Sequence, residues 1–232
     1  MIAQFLATTK KYGKFNALSA TSFVLKRNET VALLGLNGSG KSTSLRLLSG
    51  LMKPSSGQVL VDGKPPQEKK DCLAYLSDRP CFPAWMKIND VSAFMAAFYQ
   101  KFDPTRFVQL CNDLDVPTTR LDEQSKGQQQ RLRLAAHMAR TADLYIFDEP
   151  LSGIDVLSRR LIVDKIRDCT PWQSCVVIAT HEIKEIDTLF DRALILKKGD
   201  LVADVERADL PANVSLADHF FNLHQGSENG SF

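Results

Sequence analysis

The chain has little net charge. Its 29 lysines and arginines nearly balance 27 acids, leaving +2 over 232 residues. No strong field advertises a nucleic acid or an acidic partner, and no nucleic-acid partner is expected. The five cysteines, Cys72, Cys81, Cys111, Cys169 and Cys175, are odd in number and form no CxxC pair. That argues against a disulfide framework or a zinc site and for a reducing compartment, with most of them serving as small core residues. No apolar run approaches the roughly 20 residues of a membrane span. The most apolar helical stretch, "VSAFMAAFY", covers Val91 to Tyr99. The start, "MIAQFLATTKKYG", lacks the h-region of a signal peptide. Repeats and low-complexity tracts are absent. At this length and composition, one large domain or two lobes with a real core are expected.

Strand-like patterns come first: "IAQFLATT", "ATSFVLK" and the buried type "ETVALLG". A helix over Lys41–Leu51 follows, then "GQVLVDGK" with a hairpin-type Asp62-Gly63 turn, then "CLAYLS". From about Asp78 to Asp122 prolines punctuate amphipathic stretches, Val91–Lys101 and Thr105–Leu114, as in a small helical insertion. Strands resume with "LYIFDEP", "SCVVIAT" and "RALILKKGD", where Lys198-Gly199-Asp200 reads as the turn of a last hairpin. Ser215 is placed to cap a final helix, about 215–223, and the polar end, 224–232, reads as disordered. Strands alternating with helices around buried runs predict an α/β fold with a mostly parallel core.

"GLNGSGKST", Gly35 to Thr43, fits GxxxxGK[ST] between an apolar strand and a helix. Gly35, Asn37, Gly38, Ser39 and Gly40 would wrap backbone N–H groups around phosphates, helped by the helix N-terminus. Lys41 would reach the β- and γ-phosphates, Ser42 a Mg²⁺ ion, and Thr43 the α-phosphate side. An ordinary glycine-rich turn is the bland alternative, and the strand–motif–helix register disfavours it. "LYIFDEP" ends in two carboxylates whose side chains should diverge by strand alternation. Asp148 is expected at the metal and Glu149 as the general base for water. His181, after "VVIAT", would stand beside them and orient the water and Glu149, although a lone histidine is more often structural.

A Ras-type GTPase would carry NKxD, which does not occur. A RecA-like motor or P-loop kinase fits these motifs alone. The order of "QSKGQQQR" (Gln124–Arg131), "DEPLSGID" and His181 after the phosphate loop decides the matter. This set resembles the nucleotide-binding subunits of ATP-binding cassette (ABC) transporters, over nearly the whole chain. The resemblance implies a P-loop NTPase with an antiparallel β subdomain and a helical subdomain. Its lobes would span about 1–77 and 141–205, with the helical part about 78–140, inside one domain of 1–223. It implies ATP and Mg²⁺ as ligands. It implies Tyr12 stacking on adenine and Asp155 as the acid of the D-loop. Ser125, Gly127 and Gln128 would form a signature that closes over ATP held by a second subunit, head-to-tail, opening a helix over Gln128–Arg140. Two departures point to a branch serving exporter-type permeases. Lys126 replaces a signature glycine, and Asp78 stands where the family's Q-loop has glutamine. Such a subunit would sit peripherally on the cytoplasmic face of the cell membrane beside a membrane permease, with Phe82 and Trp85 expected at that contact. A non-transport ABC ATPase and a nucleotide-sensing module that does not hydrolyse are the alternatives.

Overall fold

The computed structural model describes residues 1–211 and 214–225. Two sheets organise them. β1 (Ala3–Tyr12), β2 (Phe15–Leu25) and β4 (Ser56–Val61) form an antiparallel sheet in the order β2-β1-β4. The second sheet has six strands in the order β5-β6-β7-β3-β8-β9. These are β3 (Glu29–Leu34), β5 (Leu73–Leu76), β6 (Leu144–Asp148), β7 (Cys175–Ala179), β8 (Arg192–Lys197) and β9 (Asp200–Glu206). The first five pair in parallel, and β9 joins antiparallel through the Lys198–Gly199 turn.

The central strands read as continuous apolar runs because both faces are covered. β6 and β7 are buried at every position. Strand alternation divides their side chains between two cores. Val31, Leu33, Leu144 and Ile146 pack in the core shared with the antiparallel sheet and α1 (Lys41–Leu48). Ala32, Leu34, Tyr145 and Phe147 pack in the core shared with the helices.

Three helices fill the segment between β5 and β6: α2 (Ile88–Phe98), α3 (Pro104–Asp113) and α4 (Lys126–Met138). α3 starts where Asp103 accepts hydrogen bonds from the N–H groups of Thr105 and Arg106, with Pro104 in its first turn. α4 starts two residues before the expected Gln128, because Ser125 is its cap. α5 (Val156–Cys169) follows β6, a short α6 (Ile183–Ile186) follows β7, and α7 (Leu216–Gln225) closes the described chain. Ser215 Oγ accepts from the N–H of Asp218, as its capping role requires. Residues 224 and 225, expected in a disordered end, belong to α7, and 226–232 lie outside the described residues.

Two expectations are corrected. Phe82 is buried (9% exposed), its ring 6.0 Å from that of Phe94, so it packs in the helical core and not on the surface expected for a partner. Trp85 remains 57% exposed. Cys111 and Cys175 are buried, but Cys72 and Cys169 are half-buried and Cys81 is exposed, so only two of the five are core residues. Asp62-Gly63 forms the hairpin-type turn expected of it, with Val61 and Lys64 bridged antiparallel across it. No helix among the described residues is long and apolar enough to cross a membrane.

Candidate functional site

In the six-stranded sheet β3, β6 and β7 are neighbours, and their C-terminal ends are level: Leu33 and Asp148 both pair with Ala179. The loops leaving those ends therefore emerge at one edge, where ligands of open parallel sheets bind. Gly35 to Gly40 leave β3, Glu149 leaves β6, and Thr180 and His181 leave β7.

The phosphate loop turns tightly enough to need glycine. Gly40, with φ +112°, precedes α1, and a Cβ there would fall 2.6 Å from the Ala17 carbonyl oxygen. β2 thus closes on the loop. A cleft of about 320 Å³ is lined by Tyr12, Phe15, Ala17, Asn37, Gly38, Gly40, Lys41, Ser42, Thr43, Asp78 and Glu149. Lys41 is 8% exposed, and its Nζ donates to the carbonyls of Gly35 at 2.7 Å and Leu36 at 3.3 Å. Burial lowers its pKa, while the carboxylates of Glu149 and Asp148 oppose that shift. A cation parked on loop carbonyls is positioned to move onto an anion that enters the loop.

Asp148 is 1% exposed. Ser42 Oγ donates to its Oδ1 at 3.3 Å, and its Oδ2 is buried with no hydrogen-bond partner. Burial raises its pKa to about 6, Asp78 adds to the rise, and the Ser42 bond opposes it. An orphaned buried carboxylate oxygen beside a serine hydroxyl suits a hard divalent cation. Asp78, the third residue expected at a metal, lies on the same cleft but pairs with Arg46 of α1 at 3.6 Å.

Glu149 diverges from Asp148 for a different reason than alternation: β6 ends at Asp148, and Glu149 takes a left-handed φ of +52°. Its N–H donates to Ala179 O at 2.8 Å. Its Oε2 lies 2.9 Å from His181 Nδ1 and accepts from the His181 N–H at 3.3 Å. The side chain of His181 is 63% exposed and that of Glu149 22% exposed. The carboxylate and imidazole are therefore already in contact at the mouth of the cleft.

The signature lies apart from this cleft, on the start of α4. Ser125 Oγ accepts from Gln128 N–H at 3.2 Å, and Gln128 Oε1 accepts from Ser125 N–H at 2.9 Å. This capping box leaves Ser125 exposed at a helix N-terminus. Gly127 packs against Gly153 of the D-loop. Asp155 caps α5, accepting from Ser158 N–H at 3.0 Å, and the Ser158 hydroxyl, with that N–H, lowers its pKa. One chain thus brings Lys41, Ser42, Asp148, Glu149 and His181 together, while Ser125, Gly127, Gln128 and Asp155 stand on the elements beside them.

Several residues at the site escaped the sequence reading. Gln130 Nε2 donates to the carbonyls of Pro150 at 3.1 Å and Glu149 at 3.3 Å, and its Oε1 accepts from Arg133 Nη1 at 2.8 Å. Arg133 Nη2 also donates to the carbonyls of Ser77 and Arg79, on either side of Asp78. Gln130 and Arg133 are one turn apart on the inward face of α4, and nothing in the local sequence marks them as more than helix polar positions. Phe15, the cross-strand partner of Tyr12, is the other omission.

A phosphate loop, a buried acid at the end of a parallel strand and an acid–histidine pair beside it define a P-loop nucleoside triphosphatase. The comparisons narrow the class. The family model for ABC transporters matches residues 18–152, more than half of the chain. A peptide-export ATP-binding protein of Bacillus subtilis, SkfE, is 32% identical over 218 residues, covering 85% of this chain and 86% of that protein. An aliphatic-sulfonates import ATP-binding protein of Zymomonas mobilis, SsuB, is 32% identical over 198 residues, covering 85% and 82%. A solved ATP-binding subunit of an ABC transporter superposes with a TM-score of 0.87 at 23% identity, covering 97% of this chain and all of that one. A dimeric cassette, described as a post-hydrolysis state bound to ADP and Pi, superposes at 0.79 and 21% identity, covering 88% and 98%. The chain belongs to the ABC transporter family, among its ATP-binding subunits. Its relatives include exporters and importers.

Proposed function

We propose that this chain hydrolyses ATP as the energising subunit of an exporter-type ABC transporter, in a head-to-tail pair that engages a separate membrane permease. The observation that carries hydrolysis is the Glu149–His181 contact of 2.9 Å beside Lys41 and Asp148. Lys41 leaves the Gly35 and Leu36 carbonyls for the β- and γ-phosphates. Ser42 and Asp148, with Asp78 beside them, would hold Mg²⁺, which when bound neutralises phosphate charge. Glu149 takes a proton from a water whose oxygen attacks the γ-phosphorus, and the bond from that phosphorus to the β-phosphate oxygen breaks. The products are ADP and inorganic phosphate. His181 holds the Glu149 carboxylate toward the water.

Ser125 and the N–H groups beside Gly127 offer no acid or base, only donors at a helix N-terminus. They fit the γ-phosphate bound by a second subunit, so ATP bridges the pair where ADP cannot. Exposed Trp85, in the loop before α2, offers an apolar contact for the permease. Lys126 and Asp78 support the exporter branch, because both follow that branch's form of the motifs. On this reading the chain works on the cytoplasmic face of the membrane.

The test is Glu149→Gln. With ATP and Mg²⁺ the variant should elute as a dimer, and the wild type should return to monomer as ATP is consumed. Unimpaired hydrolysis by the variant, or ATP-loaded variant that remains monomeric, would overturn the reading. The non-hydrolysing sensor is disfavoured by the same Glu149–His181 contact.

A further inference from the structure

We propose that Phe15 is a second aromatic wall of the nucleobase subsite, standing with Tyr12 at the mouth of the phosphate cleft. The proposal rests on reading that cleft as an ATP site.

The β1–β2 hairpin ends with Tyr12 directly opposite Phe15, joined through Gly13 and Lys14. Opposed residues of an antiparallel pair project to the same face, and two aromatics there ordinarily pack on each other. These do not. Tyr12 Oη donates to Met52 Sδ at 3.3 Å, and Lys10 Nζ stands over its ring, 5.5 Å from the centroid. Phe15 is 58% exposed, and among the described residues its ring makes no aromatic contact. Both rings nevertheless line the cleft that holds Lys41, Ser42 and Thr43.

A singly exposed phenylalanine is ordinary. Placement distinguishes this one. Ala17, two residues along the same strand, lies against Gly40 of the phosphate loop, so β2 is anchored at the loop and carries Phe15 to the cleft's rim. The polar side chains of the cleft are Asn37, Lys41, Ser42, Thr43, Asp78 and Glu149, all from the phosphate side. On the hairpin side stand Tyr12, Phe15 and Ala17, which offer two rings and a methyl group. Such a wall binds the π-face of a base and reads little of its edges, so it adds affinity for a nucleobase without selecting which one. Phe15 adds to affinity with little discrimination between ATP and GTP.

The test uses ADP and its base-free counterpart pyrophosphate, each with Mg²⁺, titrated calorimetrically into the whole chain. Phe15→Ala should weaken ADP about ten-fold and leave pyrophosphate unchanged. Phe15→Leu, which keeps apolar bulk without a π-face, should lose nearly as much. Phe15→Trp should retain affinity, and its added indole fluorescence should change with ADP but not with pyrophosphate. Unchanged thermal midpoints for these exposed-site variants exclude hairpin damage as the cause. If Tyr12→Ala weakens ADP while Phe15→Ala does not, the second wall is refuted and the ATP site stands. If neither ring matters but Lys41→Ala abolishes binding of both ligands, the base lies elsewhere and the proposal fails. If Lys41→Ala binds both ligands normally, the underlying reading fails first.

Discussion

Gly127, in the first turn of α4, lies against Gly153 of the D-loop so closely that a Cβ at 127 would sit 2.8 Å from the Gly153 carbonyl oxygen. The Lys126 Cβ lies 3.7 Å from where a Cβ on Gly153 would be. The signature and the D-loop of one chain therefore form one packed surface. The glycine at 127 answers to this approach and not to φ, whereas Gly153 has φ +75°. Gly127→Ala should force the Leu151–Asp155 turn outward and destabilise the fold by about 1–3 kcal/mol, as overpacking does. ADP affinity should stay near wild type, because residue 127 does not line the cleft, while turnover falls. Urea unfolding and calorimetric titration check the two halves. A variant as stable as wild type would show that the turn yields freely.

Gln130 and Arg133 should act on turnover without touching nucleotide. They tie the carbonyls of Ser77 and Arg79 to those of Glu149 and Pro150. Glu149 sits in a left-handed conformation that something must hold. Gln130→Leu leaves two carbonyls short of a donor and should cost about 1–3 kcal/mol of stability. Its kcat should fall several-fold with KM little changed, since only the base is displaced. Arg133→Lys, keeping charge but not the planar fork, should be intermediate between wild type and Arg133→Met. Parallel loss of nucleotide affinity in all three would make the network merely structural.

The pH dependence of stability follows from Asp148. Its pKa is raised to about 6 from the ordinary 3.8, first by burial and then by the charge of Asp78. Between those values the folded chain binds a proton that the unfolded chain releases. The group's contribution is therefore fully present below about pH 4 and lost as pH rises through about 6. Asp148→Asn removes this titration. In the absence of nucleotide the variant should melt higher than wild type at pH 7–8, and the difference should fade toward pH 5. Its ATPase should be abolished, a trade of function for stability. Thermal melts across that range decide it, and a variant that melts lower at pH 8 than wild type would refute the cost assigned to the buried charge.

The edge that gathers Lys41, Asp148, Glu149 and His181 was legible because each of its parts is a local string. "GLNGSGKST", "LYIFDEP" and "VVIATHE" carry strand, turn and chemistry within a few residues, and parallel pairing of apolar runs aligns their ends. Helix starts were legible to within a few residues: Thr105 was expected where α3 begins at Pro104, and Gln128 where α4 begins at Lys126. What local strings do not encode is contact between distant segments. Gln130 and Arg133 look like polar positions on a helix surface until β5 and β6 bring carbonyls to meet them. The neighbouring Gln129 likewise donates to Leu121 O at 2.7 Å and Gln124 O at 3.1 Å. Phe82 misled for a related reason. An aromatic in a proline-rich loop reads as exposed, and only the position of Phe94 on α2 shows what buries it.

The head-to-tail site makes a prediction that one defective chain cannot imitate. Lys41→Ala removes the phosphate cation. Ser125→Glu places a carboxylate at the exposed start of α4, where a partner's γ-phosphate should arrive, and spares the tight Gly127–Gly153 contact. Each variant alone should be inactive, since every dimer carries the defect in both composite sites. In a mixed dimer one site inherits both changes and the other inherits neither. Random pairing makes roughly half of the dimers mixed, so an equimolar mixture should recover about a quarter of wild-type turnover where one intact site suffices. A chain carrying both changes, mixed with wild type, spoils both sites of every mixed dimer and should recover nothing beyond the wild-type pairs. Loss of the capping box in Ser125→Glu costs about 1 kcal/mol, so both variants must first be shown folded by their melting curves. No gain on mixing folded variants, with wild-type activity linear in concentration down to clear monomer, would mean that Ser125 reads nothing on a partner.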